Sequence, residues 1–148
     1  MMKICVIHGP NLNLLGTREP DIYGHDTFDE LNKKIKDRAR QLDVEVRIFQ
    51  SNSEGEIIDM IQQAMDWADG IIINPGAYTH YSYAIRDALA AVRLPITEVH
   101  LTNVHNREEW RRVSVISPVT TAQIVGFGTN GYLLALDGMR SFVEESHR

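Results

Sequence analysis

The sequence predicts an α/β fold built on one parallel five-stranded sheet, and three observations carry that expectation. Five apolar runs of strand length alternate with five stretches of helical spacing, the pattern left by repeated strand-crossover-strand units. The third run, GIIIN from Gly70, is apolar at successive rather than alternate positions, as a strand covered on both faces requires. The residues able to do chemistry cluster just after strands, where open parallel sheets bind their ligands.

The elements follow in order. KICVIH, Lys3 to His8, reads as a buried first strand. The next helix, within TFDELNKKIKDRARQL, is reached only after a connection from Gly9 through Asp26, about eighteen residues where two to six are usual. A connection of that length in a compact domain has a job. VEVRIF, Val44 to Phe49, is a strand with mixed faces, and in GEIIDMIQQAMDWAD the residues Ile57, Ile61, Ala64, Met65 and Ala68 fall at helical spacing. The third strand ends at Asn74. YSYAIRDALAAV turns Ile85, Ala88, Leu89 and Val92 inward as a helix, and LPITEVHL is a fourth strand. REEWRR is a short helical piece, TTAQIVGF a fifth strand and NGYLLALDGMRSFVEE a closing helix. With right-handed crossovers the expected architecture is a flavodoxin-like three-layer sandwich of strand order 2-1-3-4-5, with ligands at the carboxyl ends of strands 1 and 3.

A chain of 148 residues fits one domain, 1–148, large enough for a proper core. At 43% hydrophobic and 24% charged residues it has the composition of a soluble globular protein, with no apolar run near the length of about 18 that spans a membrane. The chain enters a strand at once, so no signal peptide is expected. Its one cysteine, Cys5, lies in the first apolar run and reads as a core residue, in keeping with a reducing cytoplasm. The net charge of −5 and the lack of any basic run beyond a pair argue against nucleic acid as a partner.

Asn11, Arg18 and Tyr23 follow the first strand; Asn74, Tyr78 and His80 follow the third. His100 and Thr102 end the fourth, with His105, Arg107 and Arg111 beyond. A crevice there holds acid–base groups, hydrogen-bonding side chains and positive charge, but no lysine. The four lysines, Lys3, Lys33, Lys34 and Lys36, stand elsewhere, so none is placed for Schiff-base chemistry. GFGTNG, Gly126 to Gly131, spells a dinucleotide fingerprint, yet the strand and acid that should follow it are missing, and the glycines read as tight strand-to-helix packing. Pro10 and the leucines after it do not make a flavin-phosphate loop. Asn74 stands where a phospho-receiver domain needs aspartate. His80, His100 and His105 lack the carboxylates and spacing of a metal set, and His8 and His25 read as hydrogen-bonded structural residues. Glu98 and His100, two apart on a strand, project to one face, so the acid can orient the imidazole and His100 is the best general acid.

Taken together, GPNLNLLGTREPDIYG, NPGAYTHYS, EVHLTN, REEWRRVS and GFGTNGYLLAL, in that order, resemble the type II 3-dehydroquinases over nearly the whole chain. The resemblance implies a lyase of the shikimate pathway, serving aromatic amino acid biosynthesis. It would convert 3-dehydroquinate to 3-dehydroshikimate by anti elimination through an enolate, with no cofactor, no metal and no Schiff base, in the cytoplasm and as a homododecamer built from trimers. Tyr23 would be the base, as its phenolate with Arg18 beside it, and His100, paired with Glu98, the acid. Asn11 would hold a water on the enolate. Asn74, Thr102 and the backbone at Leu101 would bind the carboxylate, and His80 and Arg111 the ring hydroxyls. Asp87 would reach in from a neighbouring subunit. The long connection would then be a lid bringing Arg18 and Tyr23 over a fixed floor, GPNLNLLG. Thr102 stands where serine is common in the family, and Trp110 where phenylalanine is. Two alternatives come from other classes: a flavin- or nucleotide-binding module, and a metal-assisted lyase or hydrolase using His80, His100 and His105.

Overall fold

A computed structural model describes residues 1–17 and 19–146. Five parallel strands, β1 (Met2–His8), β2 (Val44–Gln50), β3 (Gly70–Asn74), β4 (Ile96–His100) and β5 (Ala122–Val125), lie in the order β2-β1-β3-β4-β5. The expected fold class and strand order hold. Four crossover or closing helices cover the sheet: α2 (Phe28–Gln41), α3 (Glu54–Ala64), α4 (Tyr83–Val92) and α5 (Asn130–Ser146). Helices α2, α3 and α4 each start on a hydroxyl that accepts a hydrogen bond from a backbone N–H three residues on: Thr27 from Glu30, Ser53 from Glu56 and Ser82 from Ile85.

Side-chain alternation along β1 divides the core in two. Ile4 and Val6 face α2 and α5, meeting Leu31, Ile35, Leu136 and Met139. Cys5 and Ile7 face α3 and α4, meeting Ile57, Ile61, Ile85 and Leu89. Both faces of the central strands are therefore buried, which is why GIII needs no polar partner residue. Burial pushes the Cys5 thiol up to about 12, so it is an inert core residue.

The long connection after β1 is not free loop. It contains a 3-10 turn at Leu12–Leu14 and a short helix, α1 (Pro20–Tyr23). Leu12 and Leu15 are buried in the α2/α5 half of the core, which anchors the first part of the connection as a floor.

His8 ends β1 with its side chain wholly buried against Phe28, Asn32 and Tyr132. Burial lowers its pKa from 6.5 to about 4, the Asn32 hydrogen bond offsetting part of the drop. As pH falls from 6.5 the unfolded chain takes up this proton before the folded one does, so stability is lost between about pH 6.5 and 4. The full effect is about 3 kcal/mol. Denaturant unfolding at pH 7 and pH 4.5 should show His8→Gln losing less stability than the wild type over that interval; equal losses would show that His8 is not the titrating group.

Candidate active site

The sheet's carboxyl edge is drawn together by the turns after β1 and β3. Gly9 N–H donates to the Asn74 carbonyl at 2.7 Å, and a Cβ on Gly9 would stand 2.7 Å from the Pro75 carbonyl, so only glycine permits the approach. Asn11 follows in the left-handed region at φ 71°, which asparagine tolerates, and its backbone N–H is held by Asn52 Oδ1 at 3.0 Å. The loop after β5 supports the end of β4: Gly126 N–H donates to the His100 carbonyl and Gly128 N–H to that of Leu101. Gly131 packs its Cα face on Val99 and Ile124. Of the GFGTNG glycines, Gly131 serves the expected packing, while Gly126 and Gly128 are needed for backbone turns at positive φ, 97° and 62°.

One cleft results. The β1 side gives it Asn11, Leu12 and Tyr23, and β3 gives Asn74 and Gly76. The β4 side gives His100, Leu101, Thr102, Arg107 and Arg111. None of the four lysines lines it: Lys3 lies at the opposite end of β1 and Lys33, Lys34 and Lys36 are on α2.

Glu98 lies beneath the cleft, fully buried, and its Oε2 is 2.5 Å from His100 Nε2. Burial works to raise the Glu98 pKa, but hydrogen bonds from His100, Thr79 and Ser114 outweigh it and hold the carboxyl below its ordinary value. An ionised carboxylate only accepts, so His100 carries a proton on Nε2 and leaves Nδ1 to hold or deliver a second one. Thr79 and Ser114 were not picked out from the sequence. They lie inside the stretches NPGAYTHYS and REEWRRVS, where the sequence singled out other residues.

Across the cleft, α1 ends on Tyr23. Its hydroxyl accepts a hydrogen bond from Arg107 Nη2 at 3.0 Å, and the guanidinium carbon lies 5.1 Å from the ring centre. Arg107 Nη1 also donates to Thr102 Oγ1 at 3.3 Å. Arg107, which the sequence placed near the crevice without a role, is therefore the cation that the described residues bring to the phenol. Arg18 lies outside the described residues.

His80 lines an adjoining depression that His100 and Arg111 share. Its Nδ1 donates to the Val113 carbonyl at 2.7 Å and its ring meets Trp110 edge-on, while Arg111 lies 4.1 Å over the Trp110 ring and pairs with Glu108. Burial, with the nearby cations, lowers the His80 pKa despite that hydrogen bond, so His80 is neutral near pH 7 with Nε2 free to accept. His105 lines the same depression, but among the described residues no three His, Cys, Asp or Glu side chains are grouped as a metal requires. Asp87 is exposed on α4 and lines neither depression. Among the described residues no helix is long and apolar enough to cross a membrane.

A family model described as Dehydroquinase class II matches residues 2–140. A 3-dehydroquinate dehydratase of Dictyoglomus turgidum is 58% identical over 139 residues, 94% of this chain and 96% of the relative. One of Lachnoclostridium phytofermentans is 59% identical over 141 residues, covering 95% and 97%. The crystal structure of the type II dehydroquinase from Butyrivibrio crossotus superposes with a TM-score of 0.93 at 54% identity, covering 94% of this chain and 97% of that one.

Proposed function

The chain belongs to the class II dehydroquinase family, and on that premise we propose that it dehydrates 3-dehydroquinate to 3-dehydroshikimate by anti elimination through an enolate, using neither Schiff base nor metal. The observation that carries this reading is the pairing, in one lysine-free cleft, of a phenol beside a cation with an imidazole braced by a buried carboxylate.

Tyr23, as phenolate, takes the proton from the carbon next to the ketone, and the electron pair moves onto the ketone oxygen as an enolate. Arg107 holds the Tyr23 oxygen in place through its hydrogen bond, and Arg18 is a second cation beside it by family resemblance. Asn11 holds a water that donates to the enolate oxygen. The enolate then returns its electrons to form the carbon–carbon double bond, the neighbouring hydroxyl leaves, and His100 Nδ1 gives it the proton that makes it water. The Glu98 carboxylate stabilises the imidazolium that does this. Asn74, Thr102 and the Leu101 backbone bind the carboxylate, and His80 and Arg111 the ring hydroxyls. Asp87, exposed on its own subunit, completes the site of a neighbour in a homododecamer of trimers. In this reading residues 1–148 form one catalytic domain, acting in the cytoplasm within the shikimate pathway toward aromatic amino acids.

The test is to mix the protein with 3-dehydroquinate and follow the ultraviolet absorbance of the conjugated enone, with and without borohydride. Enone formation and a protein mass unchanged by borohydride are expected. No enone would refute the activity, and a reduced adduct on any lysine would refute the enolate route.

A further inference from the structure

We infer that Thr79 and Ser114 are positioning residues that keep the shared proton of the Glu98–His100 pair on the imidazole, so that His100 meets the substrate as an acid. The inference rests on the reading of His100 as the acid given above.

The two hydroxyls are brought together by backbone. Thr79 lies in the 3-10 turn Gly76–His80, and the segment after Arg112 folds against it: Val115 N–H donates to the Thr79 carbonyl at 2.8 Å, and His80 Nδ1 donates to that of Val113 at 2.7 Å. Both side chains then reach Glu98. Thr79 Oγ1 bonds Oε2, and Ser114 Oγ lies 3.0 Å from Oε2 and 3.1 Å from Oε1.

The direction of these bonds follows from a count of donors. A hydroxyl has one proton and two lone pairs. Both lone pairs of Ser114 are taken by the backbone N–H groups of Ile116, at 3.1 Å, and Ser117, at 2.9 Å. Ser114 therefore only gives its own proton, either directly to Glu98 or across 2.8 Å to Thr79, which has only Glu98 left to donate to. On either path the hydroxyls present protons to the carboxylate, and His100 Nε2 presents another at 2.5 Å.

Glu98 is 0% and Thr79 1% exposed, so water does not stand in for a missing hydroxyl. Hydrogen bonds given to an ionised group are roughly twice as strong as those between neutral groups, so both hydroxyls favour the state in which Glu98 is the anion. Without them burial, which already works to raise the Glu98 pKa, shifts the Nε2 proton toward the carboxyl. The imidazole left behind is a weaker donor at Nδ1. Neither hydroxyl lines the cleft that holds Tyr23 and Asn74, so both act on substrate through Glu98 and His100. The other ionisable groups around the pair are His80, His105, Arg111 and Arg112 in the adjoining depression and Tyr23 and Arg107 across the cleft, and the variants below leave them in place.

The experiment measures two things for Thr79→Val, Thr79→Ser and Ser114→Ala: steady-state kinetics with 3-dehydroquinate, and the infrared band of a protonated carboxyl, assigned to Glu98 by its absence in Glu98→Gln. Thr79→Val keeps the branched shape and replaces only the hydroxyl. The pH at which the band appears should rise by about one unit, and kcat should fall about tenfold with KM within about threefold of wild type, as loss of one hydrogen bond to a buried charge implies. Ser114→Ala should do the same, and Thr79→Ser should restore both readings. Should Thr79→Val fail to fold, Thr79→Ala takes its place. A folded variant without the Thr79 hydroxyl whose band appears at the wild-type pH, or whose kcat stays within about twofold of wild type while His100→Ala is slow, would overturn the inference and leave the acid in place. A His100→Ala enzyme that kept its kcat would overturn both.

Discussion

Tyr23→Phe is expected to lower kcat by at least about 10²–10⁴ with little change in KM, the usual worth of a positioned acid–base group. The substitution keeps the ring, and with it the face that Arg107 covers, and removes the oxygen that would accept the proton. Binding is held by other residues, so the loss falls on the chemical step. In free-energy terms this is about 3–5 kcal/mol of transition-state stabilisation. Arg107→Ala should also cost kcat more than KM, since it removes the hydrogen bond that orients the Tyr23 oxygen. Arg107→Lys should restore only part, because a flexible ammonium does not reproduce the planar fork that meets Tyr23 and Thr102 together. Steady-state kinetics on the three variants checks this. A Tyr23→Phe enzyme keeping more than about a tenth of wild-type kcat would remove Tyr23 from the role of base.

His100→Ala should cost a similar factor, about 10²–10⁴ in kcat, because the departing hydroxyl would leave without a proton donor. Glu98→Gln separates the imidazole from its carboxylate. The glutamine still offers an oxygen to His100, Thr79 and Ser114, but not the charge that stabilises the imidazolium. A hydrogen bond to a charged group is worth about 1.5–3 kcal/mol, so a loss of roughly ten- to a hundredfold is expected, smaller than that of removing the imidazole. A Glu98→Gln variant as slow as His100→Ala would mean that the carboxylate does more than brace and polarise the ring.

The sheet was readable from the chain because its signals are local. An unbroken apolar run such as Gly70–Asn74 declares a strand with two covered faces, and the strand–helix alternation leaves few parallel topologies. Glu98 and His100 were readable as a pair for the same reason, since two residues apart on a strand fixes one face. The partners converging from elsewhere were not readable. Arg107 meets Tyr23 across 84 residues of sequence, and the loop that folds back to make the contact has no period to reveal it. PDIY is too short to show a helical stripe, so the sequence alone does not reveal α1 within the long connection. Thr79 and Ser114 reach Glu98 from the ends of irregular segments, and either residue read singly is an ordinary surface hydroxyl. The buried hydrogen bonds from Asn32 through His8 to Tyr132 join a helix, a strand and the last helix, and these residues look like separate core positions until the helices are packed on the sheet. Asp87 belongs to a different category, since its proposed site lies on another copy of the chain.

The assignment of base to Tyr23 and acid to His100 is tested most directly by hydrogen exchange at the carbon next to the ketone, followed by mass spectrometry of recovered 3-dehydroquinate in deuterated water. His100→Ala retains the base and lacks the acid, so it should place deuterium in the substrate while forming little product. Tyr23→Phe lacks the base and should do neither. The reverse pattern, exchange kept in Tyr23→Phe and lost in His100→Ala, would move the base to His100 and contradict the mechanism.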